Sequence, residues 1–158
     1  MKELSNCSIT AIILAGGQSS RMGRDKALIP IRGVPLLQRI CAIASESTSQ
    51  VYIITPWPER YQDILPEGCN LIREIPLLGE TKVGGPLVGF AQALAEVKTE
   101  WVLLLACDLP QLRQSEVQQW SRYLAEAPEQ VVALLPRNPK GWEPLCGFYR
   151  RRCLPLLT

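Results

Sequence analysis

The feature that most restricts the fold of this chain is a set of short apolar runs, each too brief for a helix and without a half-polar face. ITAIIL at 9–14, VYIIT at 51–55, WVLLLA at 101–106 and VVALLP at 131–136 carry it. Runs rich in Ile, Val and Leu at this length belong to strands covered on both faces, as in a parallel sheet. Helical patterns lie between them. Pro35 suits a first helical position, and Leu36, Leu37, Ile40, Ile43 and Ala44 follow at helical spacing. Gly84-Gly85-Pro86 opens a segment reaching Val97, and Ser115 serves as the cap of another that carries Val117, Trp120 and Leu124. CNLIRE around Leu71 adds a shorter strand. The alternation implies right-handed crossovers and an α/β fold: a Rossmann-like, mostly parallel sheet with helices on both faces. With 158 residues and no repeat or linker, one domain over 1–158 is expected. The closing RRRCLPLLT reads as a helix cut short at Pro155.

Several chemistries are closed to such a chain. It contains no histidine, so Ser-His and Cys-His nucleophile pairs, His-held metals and imidazole acid–base steps are excluded. Carboxylates, lysines, arginines, backbone amides or an oxygen-held metal remain. A net charge of only +2 argues against a nucleic-acid face, so clustered cations imply a small anionic ligand. Six cysteines at irregular gaps, without C-x-x-C, indicate reduced thiols acting as small apolar residues. No apolar stretch suits a membrane span, and Glu3 interrupts any secretory signal, so a cytoplasmic location is expected.

In sheets of this kind ligands bind where the strands end, and two exits are chemically loaded. The first strand leaves through Leu14, Ala15, Gly16 and Gly17, then releases Arg21, Arg24 and Lys26. Glycines let a backbone turn sharply against a ligand, and successive amides make an anion nest. Arg21 can fork onto phosphate oxygens while Lys26 acts as a point charge. An ordinary turn with solvated cations is the alternative. Neither G-x-x-x-x-G-K-[ST] nor G-x-G-x-x-G is present, which disfavours a P-loop or dinucleotide fold. The second exit is Ala106-Cys107-Asp108-Leu109-Pro110. Asp108 there is either a turn residue or a ligand for Mg²⁺, a cation that takes one or two carboxylates plus substrate phosphates. Together the exits point to a Mg-nucleotide site.

LAGGQSSRMGRDKALIPIRGVPLLQRI is similar to the opening signature of the molybdenum cofactor guanylyltransferases, with its L-A-G-G, R-M-G, D-K and G-x-P-L segments. Gly84-Gly85-Pro86-Leu87-Val88-Gly89 resembles the family's G-P-L-A-G segment, and Ala106-Cys107-Asp108-Leu109-Pro110 its P-C-D-x-P segment. Glu143-Pro144-Leu145-Cys146-Gly147-Phe148-Tyr149 is similar to the later strand that faces the acceptor site. The resemblance runs from about Ile9 to Tyr149 and implies a nucleotidyltransferase-type sheet. It implies transfer of GMP from Mg-GTP to the terminal phosphate of molybdenum-loaded molybdopterin, with pyrophosphate released. Leu14, Ala15, Gly16 and Gly17 then contact the nucleotide, Arg21 and Lys26 its phosphates, and Glu74 the guanine or ribose. Asp108 ligates Mg²⁺. The implied partners are GTP, the molybdenum cofactor and the cofactor-insertion proteins or molybdoenzyme chaperones that receive the product. Glu74 stands where the family usually has aspartate, and Ala106 where it has proline. The family's closing N-x-N-T-P-like segment is not matched within 1–158. Rival readings are a sister enzyme using CTP or another nucleotide on a related phosphate, and a GTP-binding protein without turnover.

Overall fold

The computed structural model describes residues 9–16, 25–80 and 85–157. Four strands of the sheet run parallel: β1 (Ile9–Leu14), β4 (Gln50–Thr55), β5 (Cys69–Arg73) and β6 (Trp101–Ala106). The order is β5-β4-β1-β6-β10-β7, with β10 (Cys146–Arg150) running antiparallel between β6 and β7 (Ala133–Leu134). Helix α1 (Leu36–Ser47) follows a small hairpin of β2 (Pro30–Ile31) and β3 (Val34–Pro35), and α2 (Pro86–Leu94) precedes β6. Helix α3 (Gln114–Ser121) comes after β6, and the short α4 (Leu154–Leu157) closes the described chain. A second hairpin, β8 (Arg137–Asn138) with β9 (Gly141–Trp142), stands between β7 and β10.

The buried runs produce two cores because successive side chains on a strand face opposite ways. Ile9, Ala11 and Ile13 join Leu37 and Ile40 of α1 and Val117 of α3 on one face. Ile12, Ile54, Val102 and Leu104 meet Phe90 and Leu94 of α2 on the other. Thr10, the polar residue of β1, is buried but bonded, its hydroxyl accepting from Thr99 Oγ1 at 2.8 Å. Arg150 on β10 is a second buried polar group that is fully engaged. Its guanidinium donates to the carbonyls of Val131, Ala127 and Pro128, contacts Glu100, and lies 4.3 Å over the ring of Trp101. One side chain thus ties β10 to the approach to β7 and to the start of β6. No helix among the described residues is long and apolar enough to cross a membrane.

Several local expectations shift. Pro35 lies on β3 and flanks α1 instead of opening it. The hairpin turn at Arg32 (φ 51°) and Gly33 (φ 82°) uses the preceding residues, and Leu36 N then donates back to Ile29 O at 2.9 Å. Ser115 is inside α3, not its cap. The capping position is Arg113, whose backbone N–H donates to Glu116 Oε1 at 3.1 Å. Helix α2 ends at Leu94, short of Val97. VVALLP contributes a strand of only two residues because β7 pairs on one side alone, with β10. Of the closing RRRCLPLLT, Arg151–Cys153 form a tight 3-10 turn that leads into α4. Gly84 lies outside the described residues.

The chain builds outward from β1 to β4 and β5 on one side, then crosses back to β6 on the other. The carboxyl ends of β1 and β6 therefore flank a topological switch point, the place where open α/β sheets leave a crevice.

Candidate active site

Backbone hydrogen bonds hold the strand ends level at this crevice. Ala15 N donates to Ile54 O at 3.0 Å, Cys107 N to Leu14 O at 3.1 Å, and Glu74 N to Thr55 O at 2.8 Å. The turn after Leu14 has no room for a side chain. A Cβ on Gly16 would stand 3.0 Å from Pro56 Cδ and 3.5 Å from Glu74 Oε1. Gly89, in the first turns of α2, is tighter still, since a Cβ there would come within 2.6 Å of Glu74 Oε1. Glu74 is thus wedged between two glycines from different elements.

That wedge leaves Glu74 only 7% exposed, with Oε2 buried and lacking a hydrogen-bond partner among the described residues. Burial pushes its carboxyl pKa above the usual range, because desolvation disfavours the charged form. A buried acceptor without a donor costs free energy that a ligand donor can recover. Gln92 of α2 fixes the adjoining backbone: Ile75 N donates to its Oε1 at 2.9 Å, and its Nε2 donates to Ile75 O at 2.7 Å. Glu74 thus keeps one buried acceptor oxygen without a donor among the described residues.

On the other side of the switch point stand Lys26 and Asp108, Nζ to Oδ2 3.6 Å, each about half exposed. Lys26 begins a single 3-10 turn, Lys26–Leu28, whose cap is Asp25; the Asp25 Oδ1 accepts from Ala27 N at 3.0 Å. The other oxygen of Asp25 accepts from the hydroxyl of the buried Tyr61 at 2.5 Å and lies 3.6 Å from Arg60 Nη1. Burial first, and then the bond to Asp25, raise the Tyr61 pKa, so the phenol remains a donor. The loop beyond Asp108 is secured by Arg39 of α1, which donates to Leu109 O at 3.1 Å and to Leu112 O. Cys107, between the strand and Asp108, is pushed up to about 12, chiefly by burial and then by the charge of Asp108; it stays a thiol and is no nucleophile.

The structure brings Leu14, Ala15, Gly16, Lys26, Glu74 and Asp108 to one edge of the sheet. Gly17 and Arg21 lie outside the described residues. Among the described residues no cluster of three or more carboxylate or thiol groups forms a metal cage. A single carboxylate such as Asp108 still fits Mg²⁺, which keeps most of its waters and shares its remaining positions with substrate oxygens. Sequence reasoning missed Tyr61, Arg39, Gln92 and Pro56. Their importance arises from contacts 17 to 73 residues apart in sequence, which no local pattern announces.

A turn closed to side chains, an unmatched buried acceptor and a carboxylate–lysine pair stand together at the switch point, where open α/β sheets bind their ligands. The comparisons with known proteins define the class as a nucleotidyltransferase. Residues 11–158 match the family described as the MobA-like NTP transferase domain, and the chain belongs to that family. It is 61% identical over 150 residues to the probable molybdenum cofactor guanylyltransferase of Nostoc sp., covering 95% of this chain and 70% of that protein. The corresponding protein of Synechococcus elongatus is 42% identical over 151 residues, covering 96% and 76%. Among solved structures, the molybdopterin-guanine dinucleotide biosynthesis protein A of Archaeoglobus fulgidus shares the fold at a TM-score of 0.70 and 19% identity, over 94% of this chain and 70% of that one.

Proposed function

We propose that this enzyme transfers GMP from Mg-GTP to the terminal phosphate of molybdenum-loaded molybdopterin, giving the molybdopterin guanine dinucleotide cofactor. The observation that carries the base assignment is the buried, unpartnered Glu74 carboxyl between Gly16 and Gly89. Guanine presents two adjacent donors, N1–H and the exocyclic amine, to a carboxylate with two acceptor oxygens. Cytosine and adenine offer only their exocyclic amine on the corresponding edge.

The acceptor phosphate oxygen attacks the α-phosphorus of GTP. Its new P–O bond forms as the bond to the α–β bridging oxygen breaks, and the electron pair departs with pyrophosphate. Because the nucleophile is already an anion, no general base is needed, and a chain without histidine suffices. Gly16 allows the backbone to approach the nucleotide. Lys26 neutralises charge on the phosphates, and Asp108 beside it would hold Mg²⁺. Bound there, Mg²⁺ supplies charge neutralisation of the phosphate oxygens. Arg21 and Gly17 complete the phosphate loop in this reading.

The decisive experiment follows pyrophosphate release from a panel of nucleotides with loaded molybdopterin. GTP is expected to be preferred, and a preference for CTP would move the enzyme to the sister class.

A further inference from the structure

The β8–β9 hairpin leaves the sheet beside the active site. The hairpin's return joins β10 where β6 ends: Ala106 N donates to Leu145 O at 2.9 Å, and Glu143, two residues earlier, closes the base of the hairpin on Pro136. The base of the hairpin therefore stands on the side of the sheet where β6 ends and Asp108 follows. Across the hairpin Arg137 pairs with Trp142, and the guanidinium carbon lies 5.5 Å over the indole ring. Trp142 is nonetheless 62% exposed, and Arg137 and Lys140 are exposed beside it. The hairpin is fixed by its own bonds: Glu143 N donates to Pro136 O at 3.1 Å, Lys140 N to Asn138 Oδ1 at 2.8 Å, and the Asn138 amide to the Glu143 carboxylate. Tyr149 of β10 donates to Pro144 O at 2.6 Å, securing its return.

A large aromatic face left in water, backed by one cation and followed by another, is a surface for a flat ring that carries negative charge. We propose that Trp142 is the stacking platform for the acceptor's planar heteroaromatic ring, with Arg137 and Lys140 meeting its phosphate on the way to Asp108. This rests on the reading above that the acceptor is a phosphorylated pterin. The charge order agrees with it: the one carboxylate in the hairpin, Glu143, is taken by Asn138, while both cations face outward.

The test is fluorescence titration of the full chain with three ligands: a pterin phosphate monoester, the same pterin without phosphate, and GTP. Trp142→Ala is expected to weaken both pterins about tenfold or more, as loss of a base–aromatic stack does, and Trp142→Phe to restore most of that affinity. Arg137→Ala and Lys140→Ala are expected to weaken the phosphate ester alone. GTP affinity and melting temperature stay at wild-type values throughout. Unchanged pterin binding in Trp142→Ala, an equal loss of GTP affinity, or no pterin binding by the wild type overturns the assignment. If the pterin pattern holds but GTP and loaded molybdopterin release no pyrophosphate, guanylyl transfer is the reading that fails and the stacking site stands.

Discussion

Lys26 and Asp108 face each other at 3.6 Å across the end of the sheet, one from the loop after β1 and the other from the end of β6. Each partner is about half exposed, so the ion pair contributes only ~0–1 kcal/mol to folding. Its value is in the site. Lys26→Ala is therefore expected to lower turnover about a hundredfold or more, with no more than a small change in melting temperature. Lys98→Ala, an exposed lysine beyond α2, serves as the control and is expected to behave as wild type. Equal activity of the two variants would make Lys26 a solvated loop cation.

Gly89→Ala separates stability from recognition. Alanine is the better helix former by ~1 kcal/mol, yet its Cβ would press to 2.6 Å on Glu74 Oε1, the flexible end of that side chain. Glu74 must move, while the helix has no reason to. The expected result is a melting temperature within a few degrees of wild type, with GTP affinity down about tenfold and the preference over CTP reduced.

The Glu74 carboxyl also sets a pH dependence. Its folded-state pKa is raised by burial above the unfolded value near 4.5, so the folded state binds more protons in the window above 4.5. Stability is lost as pH rises through that window, and the ionised group is a liability above it. Glu74→Gln removes the liability. Thermal melts of free enzyme are expected to show the variant gaining on wild type at pH 7 relative to pH 4, while its GTP affinity at pH 7 falls. A difference that stays constant between the two pH values would place Glu74 in contact with a compensating partner.

How much of this could be read from the chain depends on distance along it. The buried runs at 9–14, 51–55 and 101–106 gave the sheet centre because their composition leaves no polar face to expose. The turn at Leu14-Ala15-Gly16 and the carboxylate at Asp108 were legible as strand exits. Neither the antiparallel return of β10 nor the shortness of β7 was: the direction of β10 is set by the strands on either side of it, β6 and β7, and VVALLP pairs on one side alone. Glu74 was nameable by resemblance, but its wedge between Gly16 and Gly89 is a tertiary fact. The same holds for Tyr61, an aromatic in a loop whose hydroxyl finds Asp25 36 residues away.

Tyr61→Phe tests whether that bond positions Lys26. The ring stays and only the donor to Asp25 is lost, which costs roughly 1–3 kcal/mol of stability for a bond to a carboxylate. Asp25 keeps Ala27 N and Arg60, so the turn survives but loosens. The expected effect on catalysis is a several-fold rise in KM for GTP with a smaller change in kcat. A variant with wild-type KM would confine Tyr61 to the core.

Asp108→Asn has the sharpest expected signature. The substitution keeps the shape of the turn, which depends on Arg39 holding Leu109 O and Leu112 O and not on the carboxylate. Folding should be unaffected. Two electrostatic consequences follow, of opposite sign. Mg²⁺ loses its protein ligand, so transfer should fall below about a thousandth of wild type. The Lys26 ammonium loses the carboxylate 3.6 Å away, so its charge becomes more available to phosphate. Nucleotide binding without metal is thus expected to persist or even tighten, while the gain in affinity on adding Mg²⁺ disappears. Calorimetric titration of GTP with Mg²⁺ and with chelator reads both effects at once. If the variant still binds Mg-GTP more tightly than GTP alone, the metal is held elsewhere and Asp108 is a turn residue.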